Sequence, residues 1–275
     1  MTPTTTFAEK LAAAAERNRS WLCVGLDPQP ARTPVEEIVP FTRAIVEATS
    51  DLVCAYKPQA AFFEAHGRAG WDALAATIAA VPDHIPVVLD AKRGDIAHTA
   101  EAYATACFDA LGADAVTVNP YLGRDAVAPF LARPDRGAFI LCRTSNAGGA
   151  DLQNLDAGGE PLYLRVAALV REWGAEYGNA GLVVGATYPR ELAAVRARAP
   201  GLPILLPGIG AQGGDLEASV RAGAGGGLLV SASRSVIYAA DGPGFATAAG
   251  AEAERLRDAI NTARKGAIAA RPASD

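Results

Sequence analysis

Several protein classes are excluded by what this chain has little of. Four cysteines, Cys23, Cys54, Cys107 and Cys142, stand far apart and show no metal-site spacing. At least three of them lie in apolar runs, which reads as buried, reduced thiols. No long basic run is present and the net charge is −5, which argues against a nucleic-acid protein. A local basic pocket for a small anion stays open. No apolar stretch is long enough to span a bilayer. The segment Met1–Thr6 carries no signal-peptide pattern, so a soluble, cytoplasmic protein is expected. No G-x-G-x-x-G follows the first strand-like run, so a dinucleotide site is not supported. Of the three histidines, His66, His84 and His98, only His98 falls in the most polar stretch, and it reads as a helix-surface residue.

Half of the 275 residues are hydrophobic, enough for a sizeable core. A short helix is expected over 7–19. Strand-like runs then recur at 21–26, 52–56, 87–92, 115–118, 138–144, 182–186, 203–206 and 227–230. Helical patterns separate them at 35–50, 61–80 with a break at Gly67–Gly70, 96–111, 124–132, 162–177, 189–199, 215–222 and 247–264. Residues 147–160 are Gly- and Asp-rich and read as a long loop. The strands are continuous apolar runs, as in parallel strands buried on both faces. Their count fits a single (β/α)8 TIM barrel with an N-terminal helix, spanning residues 1–275, with a tail after about 265 expected to be disordered. A doubly wound open sheet is the structural runner-up.

One stretch dominates the chain: Leu89-Asp90-Ala91-Lys92-Arg93-Gly94-Asp95-Ile96-Ala97-His98-Thr99. It extends the apolar run Ile85–Val88, so charges here must lie at a strand end or be paired. Asp90 and Lys92 are two apart and are expected to point to one side of the strand. Gly94 breaks the strand, and Asp95 reads as the N-cap of the next helix. Other polar residues close the other strands: Asp27, Lys57, Asn119, Ser145, Gln212 and Arg234. In a barrel these meet at one mouth. The glycine-rich run 207–214 can offer backbone N–H groups to an anion, and Arg234 can grip phosphate oxygens in a bidentate contact.

These residues resemble the orotidine 5′-phosphate decarboxylase family. Its Asp-x-Lys-x-x-Asp-Ile-x-x-Thr motif stands complete as Asp90, Lys92, Asp95, Ile96 and Thr99. The likeness runs from Val24-Gly25-Leu26-Asp27 to Arg234-Ser235-Val236-Ile237-Tyr238, and Thr144–Gly148 looks like the longer bacterial branch. Three positions depart from the common pattern: Arg93-Gly94 within the motif, Asn119-Pro120 after strand four, and Ser231–Ser233 before Arg234.

The resemblance implies a carboxy-lyase of UMP biosynthesis that needs no cofactor and no metal. It implies that Lys92 protonates C6 of the pyrimidine, that Asp90 sits beside the substrate carboxylate, and that Lys57 orients the charge network. Asp27 and Lys57 would hold the ribose, Ser145 the pyrimidine, and Gln212 and Arg234 the 5′-phosphate. Asp95, Ile96 and Thr99 would reach the site of a neighbouring subunit, which makes a homodimer with shared sites the expected unit. Two rival readings stand beside this one. A sister barrel could act on a sugar phosphate with a divalent metal, and a barrel of the same shape could bind a phosphate ligand without turnover.

Overall fold

The computed structural model describes residues 5–209 and 215–269. In chain order the elements are α1 (Phe7–Arg17), β1 (Leu22–Leu26), α2 (Ile38–Thr49), β2 (Ala55–Pro58), α3 (Ala60–Glu64), α4 (Gly67–Ala79), β3 (Val88–Arg93) and α5 (Ala97–Thr105). Then come β4 (Ala115–Val118), α6 (Arg124–Leu131), β5 (Gly137–Arg143), α7 (Ala150–Gln153), α8 (Leu162–Tyr177), β6 (Ala180–Val184), α9 (Pro189–Arg198), β7 (Gly201–Pro207), α10 (Leu216–Gly223), β8 (Gly226–Ala232), α11 (Arg234–Ile237) and α12 (Phe245–Ala269). The eight strands are parallel and run in the order β2-β1-β8-β7-β6-β5-β4-β3. Single parallel bridges, Tyr56 to Val87 and Gln59 to Asp90, join the two ends. The sheet is therefore a nearly closed barrel inside a ring of helices, and the open-sheet alternative falls away.

Strand alternation sorts the apolar residues into two cores. Val88, Ala115, Phe139, Val183, Leu205 and Leu229 fill the lumen with Cys23 and Ala55. Their neighbours Leu89, Val116, Ile140, Leu182, Leu206 and Val230 face the helices. Helix α1 plugs the lower end, where Phe7 meets Phe139 edge-on at 5.7 Å. Thr6 and Glu9 close a capping box at its start. The four cysteines are free and buried. One step further along β2 and β3, the same inward alternation places Lys57 and Asp90.

Several expected boundaries move. Strand β2 starts at Ala55 rather than 52, and β6 covers 180–184 rather than 182–186. The 61–80 pattern is two helices that part at Ala65-His66 rather than within Gly67–Gly70, and α4 opens on Gly67, whose φ is +61°. The 147–160 segment is not wholly loop, since it holds a 3-10 turn (Ala147–Gly149) and α7. Helix α12 continues past residue 265 to Ala269, and the rest of the expected tail, 270–275, lies outside the described residues. Asp95 does not cap α5. Ile96 holds the N-cap position, and the Asp95 carboxylate accepts the adjacent Ile96 N–H instead, at 2.7 Å. The helix begins one residue too late for Asp95 to reach the N–H groups of its first turn.

Candidate active site

Four charged side chains meet where β1, β2 and β3 end. Lys57 Nζ lies 3.7 Å from Asp27 Oδ1 and 3.2 Å from Asp90 Oδ2. Lys92 Nζ donates to Asp90 Oδ1 at 2.7 Å. The order acid, base, acid, base runs from a buried end to an open one. The side chains of Lys57 and Asp90 are 6% and 12% exposed, whereas that of Lys92 is 45% exposed. Gly25 makes room for this array, since a Cβ there would stand 2.6 Å from Ser233 Cβ and 2.9 Å from Asp27 Oδ2.

Asp90 accepts from four donors. Oδ1 accepts from Lys92 Nζ and from Thr117 Oγ1 (2.8 Å); Oδ2 accepts from Lys57 Nζ and from Gln59 Nε2 (3.0 Å). Burial opposes its ionisation, but Lys57, Lys92 and these hydrogen bonds outweigh burial and pull the carboxyl down to about 2. Burial likewise opposes the charge on Lys57, and Asp27 and Asp90 overcome it, raising the ammonium pKa above its ordinary value. Both groups are thus held ionised inside the protein.

The array opens into a cavity of about 610 Å³ lined also by Gln29, Thr144, Ser145, Gln153, Gly208 and Arg234. Arg234 is exposed and makes no ion pair among the described residues. Ser233 also lines the cavity, and its buried Oγ has no partner among the described residues. A larger hollow of about 830 Å³ lies between α1 and α12 around Trp21. Two of its arginines are engaged, Arg257 with Glu254 and Asp258, and Arg264 over the Trp21 ring. The array of Asp27, Lys57, Asp90 and Lys92 lines the smaller cavity.

The structure brings together Asp27, Lys57, Asp90, Lys92, Ser145 and Arg234 around that cavity. It does not bring in Asp95, Ile96 or Thr99, which are outside its lining; Ile96 is 54% exposed. Gln212 lies outside the described residues. The departures at Arg93-Gly94 have local reasons. Arg93 pairs with Glu64, and a Cβ at Gly94 would stand 2.8 Å from the Asn119 carbonyl. Sequence reasoning missed Gln59 and Thr117. Gln59 is two residues beyond Lys57 and so shares its side of the chain. Thr117 is the one polar residue in the run Ala115–Val118. Both signals were present.

Among the described residues no helix is long and apolar enough to cross a membrane, and no cluster of His, Cys, Asp or Glu is arranged to hold a metal ion. Asp27 and Asp90, the acids of the cavity, both face Lys57.

Comparison with known proteins agrees with this geometry. The profile of the Orotidine 5′-phosphate decarboxylase / HUMPS family matches residues 20–249. The orotidine 5′-phosphate decarboxylase of Herpetosiphon aurantiacus is 58% identical over 251 residues, covering 88% of this chain and 93% of that one. That of Roseiflexus castenholzii is 58% identical over 267 residues, covering 94% and 98%. Among solved structures, Leishmania donovani OMP decarboxylase superposes with a TM-score of 0.86 at 48% identity, covering 95% of this chain and 99% of that chain. Leishmania donovani UMP synthase gives 0.88 at 50% identity over 95% of this chain, which spans only 57% of that longer protein. By motif, barrel, charge array and these matches, the chain belongs to the orotidine 5′-phosphate decarboxylase family.

Proposed function

We propose that this cavity converts orotidine 5′-phosphate to uridine 5′-phosphate and carbon dioxide, as a cofactor-independent carboxy-lyase of pyrimidine biosynthesis in the cytoplasm. The observation that carries the reading is the chain of charges Asp27–Lys57–Asp90–Lys92 at the mouth of the barrel. Loss of carbon dioxide leaves carbanion character at C6 of the pyrimidine. In a cofactor-independent reaction fixed charge stabilises it. Lys92 supplies positive charge where the negative charge develops, then a proton to C6. Asp90 holds the Lys92 ammonium and faces the substrate carboxylate. Asp27 and Lys57 bind the ribose, and Lys57 also fixes Asp90. Ser145 hydrogen-bonds the pyrimidine, and Arg234, with Gln212, takes the 5′-phosphate. That remote grip supplies binding energy that is used at the reacting carbon. Each charge-assisted contact removed is expected to cost about 3 kcal/mol in the transition state.

Asp95, Ile96 and Thr99 complete the site of a second subunit in a homodimer. Ile96 (54% exposed), Tyr121 (79%) and Leu122 (49%) are exposed apolar residues on two loops joined by the Asn119 N–H, which donates to the Arg93 carbonyl at 2.7 Å. Exposed apolar residues of this kind fit a protein interface. The metal-dependent reading is not favoured, since the available acids are already neutralised by lysine.

The test is incubation of the purified protein with orotidine 5′-phosphate and a chelator, following loss of the substrate's ultraviolet absorbance. Conversion to uridine 5′-phosphate is expected. A folded protein that leaves the substrate unchanged, or that turns it over only after metal is restored, would refute the reading.

A further inference from the structure

Strand β3 is irregular at the position that matters most. Its register with β4 runs from Leu89 opposite Val116 to Arg93 opposite Val118. Three residues, Asp90, Ala91 and Lys92, thus face the single residue Thr117. In such a bulge the extra residues lose their ladder partners. Lys92 has φ +48°, a left-handed conformation that a long side chain rarely adopts. Its N–H donates to Thr117 Oγ1 at 2.9 Å.

The Thr117 hydroxyl therefore serves two groups. A hydroxyl offers one proton and two lone pairs. Asp90 is ionised and can only accept, so the proton points to Asp90 Oδ1 at 2.8 Å. The lone pairs are left for the Lys92 N–H. Thr117 is 1% exposed, and its branched side chain suits a strand, so it is held still. We propose that Thr117 is the positioning residue for Lys92, clamping the bulged backbone of β3 and the carboxylate that holds the Lys92 ammonium through one hydroxyl. The proposal rests on the reading of Lys92 as the group that acts at C6.

Loss of the hydroxyl has a directed consequence. Asp90 keeps three of its four donors and stays in place. The Lys92 backbone loses the bond that holds it in its strained conformation and relaxes. The ammonium then shifts away from the reacting carbon, and a displacement of about 1 Å can lower a rate by about a hundredfold. The phosphate and pyrimidine contacts lie on other strands and are untouched, so binding of the nucleotide survives.

The experiment compares wild type, Thr117→Val and Thr117→Ser. Valine fills the same volume without the hydroxyl, and serine keeps the hydroxyl. For each, kcat and KM are measured with orotidine 5′-phosphate, and the affinity for uridine 5′-phosphate by calorimetry. Thr117→Val is expected to lower kcat by at least tenfold, with product affinity within about threefold of wild type. Thr117→Ser is expected to stay within about fivefold in kcat. Should the valine variant not fold, Thr117→Ala carries the same expectation as Thr117→Val. A hydroxyl-free variant that loses less than tenfold in kcat overturns the proposal. So does a serine variant as impaired as valine, or product affinity that falls in step with kcat. A wild type that leaves the substrate untouched refutes the reading of Lys92 itself, and the inference falls with it; an active wild type with an unimpaired Thr117→Val refutes the inference alone.

Discussion

Lys57 is the keystone of the buried charges, and its replacement by methionine is a sharp test of how they are held. Methionine keeps an unbranched apolar stem and removes the ammonium. Lys57 is 6% exposed on its side chain and faces two acids, Asp27 at 3.7 Å and Asp90 at 3.2 Å, each 12% exposed. Removing one partner of a buried ion pair leaves an uncompensated charge and costs roughly 3–5 kcal/mol. The lowered pKa of Asp90 points in the same direction. Its fall from the 3.8 of a free carboxyl to about 2 is worth about 2 kcal/mol of stability. The sign follows from the depressed value. The contribution is present above 3.8 and is lost as pH falls through about 2. Without Lys57, burial faces only Lys92 and the hydrogen bonds, and the Asp90 pKa rises. We expect Lys57→Met to lose about 3 kcal/mol at neutral pH, with the deficit shrinking on acidification as the carboxyl protonates. Urea unfolding followed by tryptophan fluorescence measures this, at one protein concentration, at pH 7 and at the most acid pH where both proteins stay folded. A Lys57→Met midpoint within about 1 kcal/mol of wild type at pH 7, or a deficit that grows in acid, would refute the reasoning.

Two further outcomes follow from the geometry. Arg234→Ala is expected to weaken binding of the phosphorylated substrate by about 2–3 kcal/mol, with little change in unfolding midpoint, because Arg234 is exposed and makes no ion pair among the described residues. An unchanged preference for the nucleotide over the nucleoside would contradict this. Mixing inactive Asp95→Ala and Lys92→Ala proteins is expected to restore part of the activity, since a mixed dimer holds one intact shared site. Demonstrated heterodimers without activity would contradict the shared site.

The barrel was legible because its strands are continuous apolar runs, and a run such as Ile85–Leu89 cannot be a surface strand. The inward set at the mouth was legible for the same reason: Lys57 and Asp90 are charges at the ends of such runs. What stayed hidden depends on backbone detail. Regular alternation predicts that Asp90 and Lys92 share a side. The structure brings them together through a bulge, with Lys92 at φ +48°, which no periodicity encodes. Asp95 has the right chemistry for a cap, yet Ile96 takes the extended N-cap conformation and displaces it. Gln59 and Thr117 are uncharged and escape a search for charge, although they supply two of the four donors to Asp90. Asp95, Ile96 and Thr99 lie outside the cavity lining of the single chain, and the roles proposed for them call for a second subunit.

The most direct measurement is turnover of orotidine 5′-phosphate by wild type and Lys92→Ala side by side, with carbon dioxide and uridine 5′-phosphate both counted. Lys92 is largely open to the cavity, with a side chain 45% exposed, so its truncation leaves the barrel folded. Wild type is expected to release the two products in equal amounts, and Lys92→Ala, equally folded, to release neither at a measurable rate. A Lys92→Ala protein that works within about tenfold of wild type, a barrier change of only about 1.4 kcal/mol, would contradict the assignment of Lys92 as the acid at C6.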